Sequence, residues 1–160
     1  MTRSRSEYLC VDCRSPMIVA SEPGIRPARD GDRHALAELV LDAYRGTVDD
    51  EGEGLPEARQ AVDDWLERRI AAASVVIEEG DRILAMSFVV VVGGRTYIDP
   101  VATATAWKRQ GLGRRAVRAS LHRLQDAGHR EVGAVITDGN VASVRLFASL
   151  GFVRIGPWGQ

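Results

Sequence analysis

Ile83–Val92 is a stretch of almost entirely apolar side chains that ends at the pair Gly93-Gly94. Its last four residues, Val89–Val92, are β-branched and favour extended backbone over helix. Paired glycines suit the positive φ angles of a tight hairpin turn, and a second strand-like run, Arg95–Thr103, follows them. The pattern predicts two long antiparallel strands, so the chain must be organised around a β-sheet.

Helical spacing dominates the region before this hairpin. A weakly alternating run at Gly24–Ala28 predicts a short strand, and apolar residues at helical intervals predict a helix over Gly31–Tyr44. An acidic, glycine-containing loop, Gly46–Leu55, separates it from a second helix that runs from Pro56 to about Ala73. This part of the chain is therefore expected to contribute one strand and two helices.

After the hairpin the sequence alternates helices and strands. Helices are predicted over Gly111–Ala127 and Val141–Leu150, and strands over Val132–Thr137 and Phe152–Ile155. With a short strand at Ser74–Ile77, the order becomes β-α-α-β-β-β-α-β-α-β. No linker or repeat interrupts it, so residues 24–160 are predicted to form one mixed α/β domain.

Length and charge narrow the functional classes. The chain has 160 residues and a net charge of −1, which argues against general binding to nucleic acid or to membrane surfaces. No apolar run approaches the roughly 18 residues that suggest a membrane span, and no secretory signal is visible. A cytoplasmic protein is expected.

The first 23 residues are mostly polar and contain Cys10 and Cys13. One CxxC pair supplies two ligands, whereas a closed zinc site needs four, and His34, His122 and His129 lack ligand spacing. No metal is expected. Residues 1–23 are interpreted as a poorly ordered N-terminal extension.

The run Lys108–Arg115 lies between a predicted strand and a predicted helix and contains Gly111 and Gly113. Glycine allows a tight turn and close approach of a ligand, and the first amides of a helix can bind phosphate. The Gly-Lys-Ser/Thr ending of a P-loop and the GxGxxG dinucleotide pattern are both absent. From these residues alone, a phosphate-binding loop and a plain tight turn both remain open.

A second motif follows at Asn140–Phe152. Together the two runs resemble the Arg/Gln-x-x-Gly-x-Gly/Ala loop and the Asn-x-x-Ala-x-x-Leu-Tyr-x-x-x-Gly-Phe stretch of the GNAT superfamily of N-acetyltransferases. The resemblance, with the element order between the motifs, covers Ile25–Ile155. A shorter run, Ile98–Thr105, is similar to part of some aminoglycoside 6′-N-acetyltransferases.

The resemblance implies a mixed sheet in which two parallel strands, here Arg95–Thr103 and Val132–Thr137, splay apart around the acyl-pantetheine arm. It implies acetyl-CoA, or a related acyl-CoA, as cosubstrate, and direct attack of an amine on the thioester. The residues that it assigns to the cosubstrate are Val101, Ala102, Thr103, Lys108, Arg109, Gln110, Gly111, Leu112, Gly113, Arg114, Asn140 and Phe147.

Two positions depart from the family pattern. Lys108 stands where the family usually has Arg or Gln. Phe147 stands where many members have a tyrosine that protonates the leaving thiolate, and a phenyl ring has no proton to donate. Ser143, one helical turn earlier, is a candidate substitute, although it also fits a packed helix hydroxyl. Without a donor, the domain would be an acyl-CoA sensor or an enzyme that relies on water.

The amine must lose its proton before attack, so a carboxylate base is expected. Asp99 is the best candidate, because it lies on the strand that leads into the glycine loop. Tyr97, two residues earlier, is expected to share its face of the strand. Asp138 is a second candidate and could instead cap the following helix.

The resemblance places the acceptor beside the loop between the first two helices. Candidate acceptor residues are Tyr44, Asp49, Asp50 and Glu51, and the carboxylates would attract a cationic small-molecule amine or a basic peptide. The same acidic residues could simply form a solvated loop. Trp65 could stack on an acceptor, but its helical phase favours a core position.

The residues from Val153 onward have room for one short strand only, so no further strand is expected to pair with it. A sheet with an open edge is usually covered, either by the apolar run Tyr8–Val11 or by a second subunit. Because the N-terminal extension is expected to be mobile, a two-fold homodimer is the favoured interpretation.

Overall fold

The computed structural model describes residues 3–13 and 22–159. These residues form seven strands and four helices. The strands are β1 (Arg5–Val11), β2 (Ile25–Pro27), β3 (Val75–Glu79), β4 (Arg82–Val92), β5 (Arg95–Thr103), β6 (Glu131–Thr137) and β7 (Val153–Pro157). The helices are α1 (Arg33–Tyr44), α2 (Leu55–Arg68), α3 (Leu112–Asp126) and α4 (Val141–Ser149), with single 3-10 turns at Asp30–Asp32 and Thr105–Trp107.

All seven strands belong to one sheet in the order β2-β3-β4-β5-β6-β1-β7. The predicted hairpin is confirmed, because β4 and β5 pair antiparallel from Val92–Arg95 to Ala85–Thr103. Every neighbouring pair is antiparallel except β5 and β6, which run parallel. From β2 onward the element order is the predicted one, and the mixed α/β fold is confirmed.

The interpretation of residues 1–23 as poorly ordered does not hold for Arg5–Val11, whereas the alternative in which Tyr8–Val11 adds a strand to the sheet does. Arg5–Val11 is an ordered strand inside the sheet, paired with β6 on one side and with β7 on the other. Ser6, Tyr8 and Cys10 alternate as its buried residues, so one face of β1 belongs to the core. The apolar run Tyr8–Val11, without a flanking turn signal, was the only mark of this strand in the sequence. The remainder of the predicted extension, residues 14–21, lies outside the described residues.

One of the two cysteines, Cys10, lies near the end of β1, and Cys13 lies just after the strand. Cys10 and Cys13 are both buried, have Cα atoms 5.6 Å apart and form a disulfide-bonded pair. They lie beside the corner between α4 and β7, since a Cβ placed on Gly151 would be 3.6 Å from the Cys10 sulfur. The pair therefore anchors the end of β1 to that corner.

The helices cover both faces of the sheet. Helices α1 and α2 share a core cluster with Val76, Met86 and Phe88. Helix α3 packs against the other face of the sheet, where it contacts Val75 and Ile77. These residues flank Val76 on β3, and successive side chains of a strand point to opposite faces. Helix α4 joins α3, β1 and β6 in a further cluster.

The parallel strands β5 and β6 diverge in the middle of the sheet. Their paired residues are Tyr97 with Gly133 and Ile98 with Ala134. Beyond these pairs, β5 continues to Thr103 and β6 to Thr137. The splayed arrangement that the family resemblance implies is therefore present. Asp99 of β5 and Thr137 of β6 lie at its open end.

Candidate active site

A cavity of about 860 Å³ lies at the divergence of β5 and β6. This volume lies within the range that accommodates small-molecule ligands, about 300–1,000 Å³. Its walls come from the two strands, from α1, α2 and the loop between them, from α4, and from both ends of the described chain. Its polar and aromatic lining residues are Arg3, Ser4, Arg5, Tyr44, Asp49, Glu51, Glu53, Glu57, Trp65, Asp99, Thr137, Asn140, Ser143, Phe147 and Trp158.

Asp99 lies on β5 where the strands separate, and its carboxyl group lines the cavity. Removal from water raises the pKa of Asp99 to about 6, and the neighbouring negative charge of Asp49 acts in the same direction. The guanidinium of Arg5 opposes both effects. A carboxylate with a pKa near the working pH is suited to accept a proton, so Asp99 has the properties of a general base.

Asp49 fastens the loop between α1 and α2 to the end of β6. Its carboxylate accepts hydrogen bonds from Thr137 Oγ1 at 2.6 Å and from Asn140 Nδ2 at 2.9 Å. Asn140 in turn caps helix α4, because its Oδ1 accepts from the Ser143 amide at 3.1 Å. Asp49 therefore shapes the cavity in addition to carrying charge.

Asp49→Ala should lower the free energy of unfolding by about 1–3 kcal/mol, because Thr137 and Asn140 would lose their acceptor in a half-buried place. Urea denaturation measures this change. Glu51→Ala on the same loop is the matched control, since its side chain forms no hydrogen bond with a described residue, and about 0.5 kcal/mol or less is expected. Equal losses in the two variants would contradict the bracing role of Asp49.

The other predicted acceptor residues divide into two groups. Tyr44 and Glu51 line the cavity. Trp65 lines it as well, and it also packs against the core cluster of α1 and α2, as its helical phase predicted. Burial and the charges of Asp99 and Asp49 raise the pKa of Tyr44, so this phenol stays protonated. Asp50 does not line the cavity, because its carboxylate accepts from the Gly46 and Gly52 amides inside the loop.

Phe147 and Ser143 reach the same cavity from α4. Phe147 is buried, and its ring packs edge-on against Phe152 with centroids 5.0 Å apart. Ser143 is half-buried and lies one turn earlier on the helix. The structure therefore places a hydroxyl beside the position where the family commonly has its tyrosine.

Tyr97 and Asp138 were both proposed as site residues from the sequence, but each forms a hydrogen bond outside the cavity. The Tyr97 hydroxyl donates to Glu7 Oε1 at 2.7 Å, and its ring packs against Trp158. Asp138 accepts a hydrogen bond from Ser6 Oγ at 2.7 Å, and this bond lowers its pKa. Neither residue lines the cavity, and Asn140 rather than Asp138 caps α4. Asp99 is therefore the better candidate base.

The glycine loop turns sharply into α3. Arg109 and Gly111 have φ angles of 67° and 79°, in the left-handed region that favours glycine. The Arg115 amide makes the first bond of the helix, to the Gly111 carbonyl at 3.0 Å. The amides of Leu112, Gly113 and Arg114 precede that bond, so they are available to an anion. Arg109, Gln110 and Arg114 are exposed around them.

Gly113 connects this loop to the cavity wall. A Cβ on Gly113 would lie 3.2 Å from Thr103 Oγ1 and 4.0 Å from the cavity-lining Val101. Lys108 does not reach outward, because its Nζ donates to the Ala43 carbonyl of α1 at 2.6 Å. Ala102 is buried against α1 and α2, so its side chain faces away from the loop.

Sequence reasoning missed the part of the cavity that the chain ends build. Arg3, Arg5 and Trp158 line it, and the Trp158 amide donates to the Arg5 carbonyl at 2.9 Å. The one available signal was the apolar run Tyr8–Val11, because a strand there would carry the preceding arginines into the sheet. Glu53, which belongs to the acidic loop predicted at the acceptor, also lines the cavity, and so does Glu57 at the start of α2, which was not predicted.

Within residues 3–13 and 22–159, no helix has the length and apolar character needed to cross a bilayer. The same residues contain no group of three or more His, Cys, Asp or Glu side chains that could hold a metal ion. Carboxylates, arginines and aromatic rings make up most of the polar and aromatic lining of the cavity.

Residues 33–152 match the acetyltransferase (GNAT) family. The sequence has no match among curated proteins. Among solved structures, a GCN5-related N-acetyltransferase from Sphaerobacter thermophilus is similar with a TM-score of 0.72 and 17% identity over 97% of this chain. The chain spans 49% of that protein's length.

Two shorter structures are similar over most of their own length. A GNAT family acetyltransferase from Brucella melitensis, solved in complex with acetyl-CoA, has a TM-score of 0.62 and 23% identity over 83% of this chain and 88% of its own. An aminoglycoside antibiotic 6′-N-acetyltransferase from Acinetobacter haemolyticus has a TM-score of 0.61 and 16% identity, over 81% and 90%. At these identities the similarity concerns the fold.

Proposed function

Because this chain belongs to the acetyltransferase (GNAT) family, we propose that it transfers an acetyl group from acetyl-CoA to a primary amine of a cationic acceptor. The negative charge of the cavity supports the choice of a cationic acceptor. Five carboxylates line the cavity, and none forms an ion pair with a described residue: Asp49, Glu51, Glu53, Glu57 and Asp99. With Arg3 and Arg5 the cavity keeps an excess of negative charge that attracts cations.

The residues of the glycine loop fit the phosphates of acetyl-CoA. The left-handed turn at Arg109 and Gly111 directs the first amides of α3 outward, and the exposed guanidiniums of Arg109 and Arg114 add positive charge. Val101, Thr103 and Gly113 form a continuous wall from this loop to the cavity. A thioester held along that wall would meet Asp99 where the strands diverge.

Asp99 would accept the proton of the acceptor's ammonium group, directly or through water. The neutral nitrogen then attacks the thioester carbonyl carbon, a C–N bond forms, the C–S bond breaks and the thiolate of CoA leaves. The nitrogen loses its second proton in the same step, and a proton donor passes one proton to the thiolate in exchange for it. Phe147 cannot supply a proton to that thiolate. Ser143 lines the cavity one turn away, so we propose Ser143 or water as the donor.

Gly113→Val should raise the acetyl-CoA dissociation constant tenfold or more, about 1.4 kcal/mol. The added side chain would meet Thr103 Oγ1 and Leu146 Cδ1, which lie 3.2 and 3.3 Å from the Cβ position, and so would displace the start of α3. Isothermal titration calorimetry measures the constant. Gly31→Val is the matched control, because nothing lies within 4 Å of its Cβ position. Unchanged binding in a folded Gly113→Val protein would remove the loop from the site.

An acceptor screen tests the proposed function. Thiol release from acetyl-CoA is measured with polyamines, aminoglycosides, amino acids and basic peptides, and cationic small amines are expected to support turnover. If only basic peptides do so, the protein is a peptide N-acetyltransferase. If acetyl-CoA binds but no acceptor releases thiol, the alternative of a non-catalytic acyl-CoA sensor replaces the enzyme.

A homodimer and a cytoplasmic location remain proposals. Strand β1 does not cover the open edge that was predicted at the last strand, because it lies between β6 and β7. Strand β7 is now the terminal strand, and Val153 and Ile155 on it are 66% and 50% exposed. We propose that a second copy covers this edge, which light scattering would show as a dimeric mass. A monomeric mass at all concentrations would end the proposal.

A further inference from the structure

Lys108 is the only lysine among the 160 residues, and it stands at the start of the glycine loop. Its side chain is half-buried and reaches helix α1, where Nζ donates a hydrogen bond to the Ala43 carbonyl at 2.6 Å. Within residues 3–13 and 22–159 it forms no ion pair. The ammonium group is therefore bound to the backbone of a helix rather than to a carboxylate.

The segment Thr105–Lys108 supplies hydrogen-bond donors to the end of α1. The last carbonyls of a helix have no partner within it. Here the Asp42 carbonyl accepts from Thr105 Oγ1 at 2.9 Å, and the Ala43 carbonyl accepts from Lys108. The Asp42 carboxylate also accepts from the Thr105 amide at 2.7 Å. Three hydrogen bonds thus join the end of α1 to the segment that leads into the glycine loop.

This junction connects two parts of the candidate site. On the α1 side, Tyr44 follows Ala43 directly and lines the cavity. On the loop side, two residues separate Lys108 from Gly111, whose left-handed backbone turns the first amides of α3 outward. A loop that is held before its ligand arrives loses less conformational freedom on binding. The bond from Lys108 therefore supports the direction of those amides.

We propose that Lys108 is a positioning residue for acetyl-CoA, whose ammonium group holds the glycine loop on α1 and makes no contact with the phosphates of the cosubstrate. The inference rests on the proposed function, in which the loop binds those phosphates. It changes the role that the family resemblance gives to Lys108, from cosubstrate binding to support of the amides that bind. A lysine is favourable at this end of a helix, because the helix dipole places partial negative charge there.

Isothermal titration calorimetry with acetyl-CoA and the full-length chain tests this role. Lys108→Met should raise the dissociation constant about fivefold or more, whereas Lys108→Arg, which keeps a donor of similar reach, should stay within about twofold of wild type. Thr105→Val removes a second bond of the same junction without changing any charge. It should raise the constant about two- to threefold, which a lost phosphate contact cannot explain.

Arg68→Met is the matched control for the loss of one positive charge. Arg68 is exposed at the end of α2, and the adjacent Arg69 bridges to Val90. Val90 pairs with Tyr97 near the start of β5, whereas the glycine loop follows the end of that strand. The dissociation constant of this variant should stay within about twofold of wild type.

Salt separates support of the loop from direct contact with phosphate. Dissolved ions screen the attraction between a cation and a phosphate, so a lost direct contact would matter less in about 0.5 M NaCl than in about 0.05 M. The ratio of the Lys108→Met and wild-type dissociation constants should instead be the same at both concentrations.

Two results would overturn the proposal. One is a ratio that falls towards one at the higher salt concentration, because Lys108 would then contact phosphate. The other is a Lys108→Met protein that melts at a lower temperature but binds acetyl-CoA as the wild type does, because the bond would then serve stability alone. A wild-type protein that does not bind acetyl-CoA would instead overturn the proposed function, so the two failures are distinguishable.

Discussion

Asp99→Asn is expected to lower the rate of acetyl transfer by roughly 10²-fold or more while leaving the acetyl-CoA dissociation constant nearly unchanged. The amide keeps the size of the carboxyl group but cannot accept a proton from the acceptor's ammonium. Asp99 lines the cavity at the strand divergence, away from the glycine loop, so binding of the cosubstrate should not depend on it. Steady-state kinetics and calorimetry on the same preparation measure both quantities.

The matched control is Asp138→Asn. Asp138 lies at the end of the neighbouring strand, but its carboxylate accepts from Ser6 and does not line the cavity. Activity within about twofold of wild type is expected for this variant. If Asp99→Asn keeps full activity across the pH range while Asp138→Asn loses it, the base has been assigned to the wrong strand.

The pH dependence of the wild-type protein has a definite sign. The pKa of Asp99 is raised to about 6, and the unprotonated form is the base that we propose. With saturating acceptor, kcat should therefore rise as the pH increases through about 6 and should level off above it. This ascending limb should disappear in Asp99→Asn.

Removal of β1 is expected to abolish cooperative folding. In a chain that begins at Met17, β6 and β7 would lose their shared partner, because β1 lies between them over the whole length of β6. The core would also lose Tyr8 and Cys10, each of which contributes roughly 1.5–3 kcal/mol of burial, against a total stability of about 5–15 kcal/mol. Thermal melting followed by circular dichroism tests this expectation.

A cooperative transition in the truncated chain within a few degrees of the full-length protein would contradict the structural role of β1. Val11→Thr in the full-length chain is a suitable control, because Val11 is the last residue of β1, its side chain is 58% exposed and its backbone pairing with Glu131 is kept. It should melt like the wild-type protein.

The parts of the fold that local pattern determines were predictable. The run Ile83–Val92 with its glycine pair produced the observed hairpin, and helical spacing placed α1, α3 and α4 to within two residues. The divergence of β5 and β6 followed from the family resemblance. It is visible in the structure as pairing confined to Tyr97 and Ile98 of β5.

What the sequence could not show depends on contacts between distant residues. Strand β1 is stabilised by β6 and β7, more than 100 residues away, and its own short alternation gave no strong signal. For the same reason, the presence of Arg5 in the cavity had only the apolar run Tyr8–Val11 as a signal, and the presence of Trp158 had none. Tyr97 was assigned to the site from the sequence, but its hydroxyl donates to Glu7 of β1. The sequence interpretation had left that partner outside the fold.

We propose that one cavity at the diverging strands performs acetyl transfer to a cationic amine with Asp99 as base. The most direct measurement quantifies released CoA thiol and acetylated amine in the same reaction, by thiol titration and mass spectrometry, for the wild-type protein and for Asp99→Asn. Equal amounts of the two products from the wild type, and a rate roughly 10²-fold lower in the variant, are predicted. Thiol release without acetylated amine, or equal rates in the two proteins, would contradict the account.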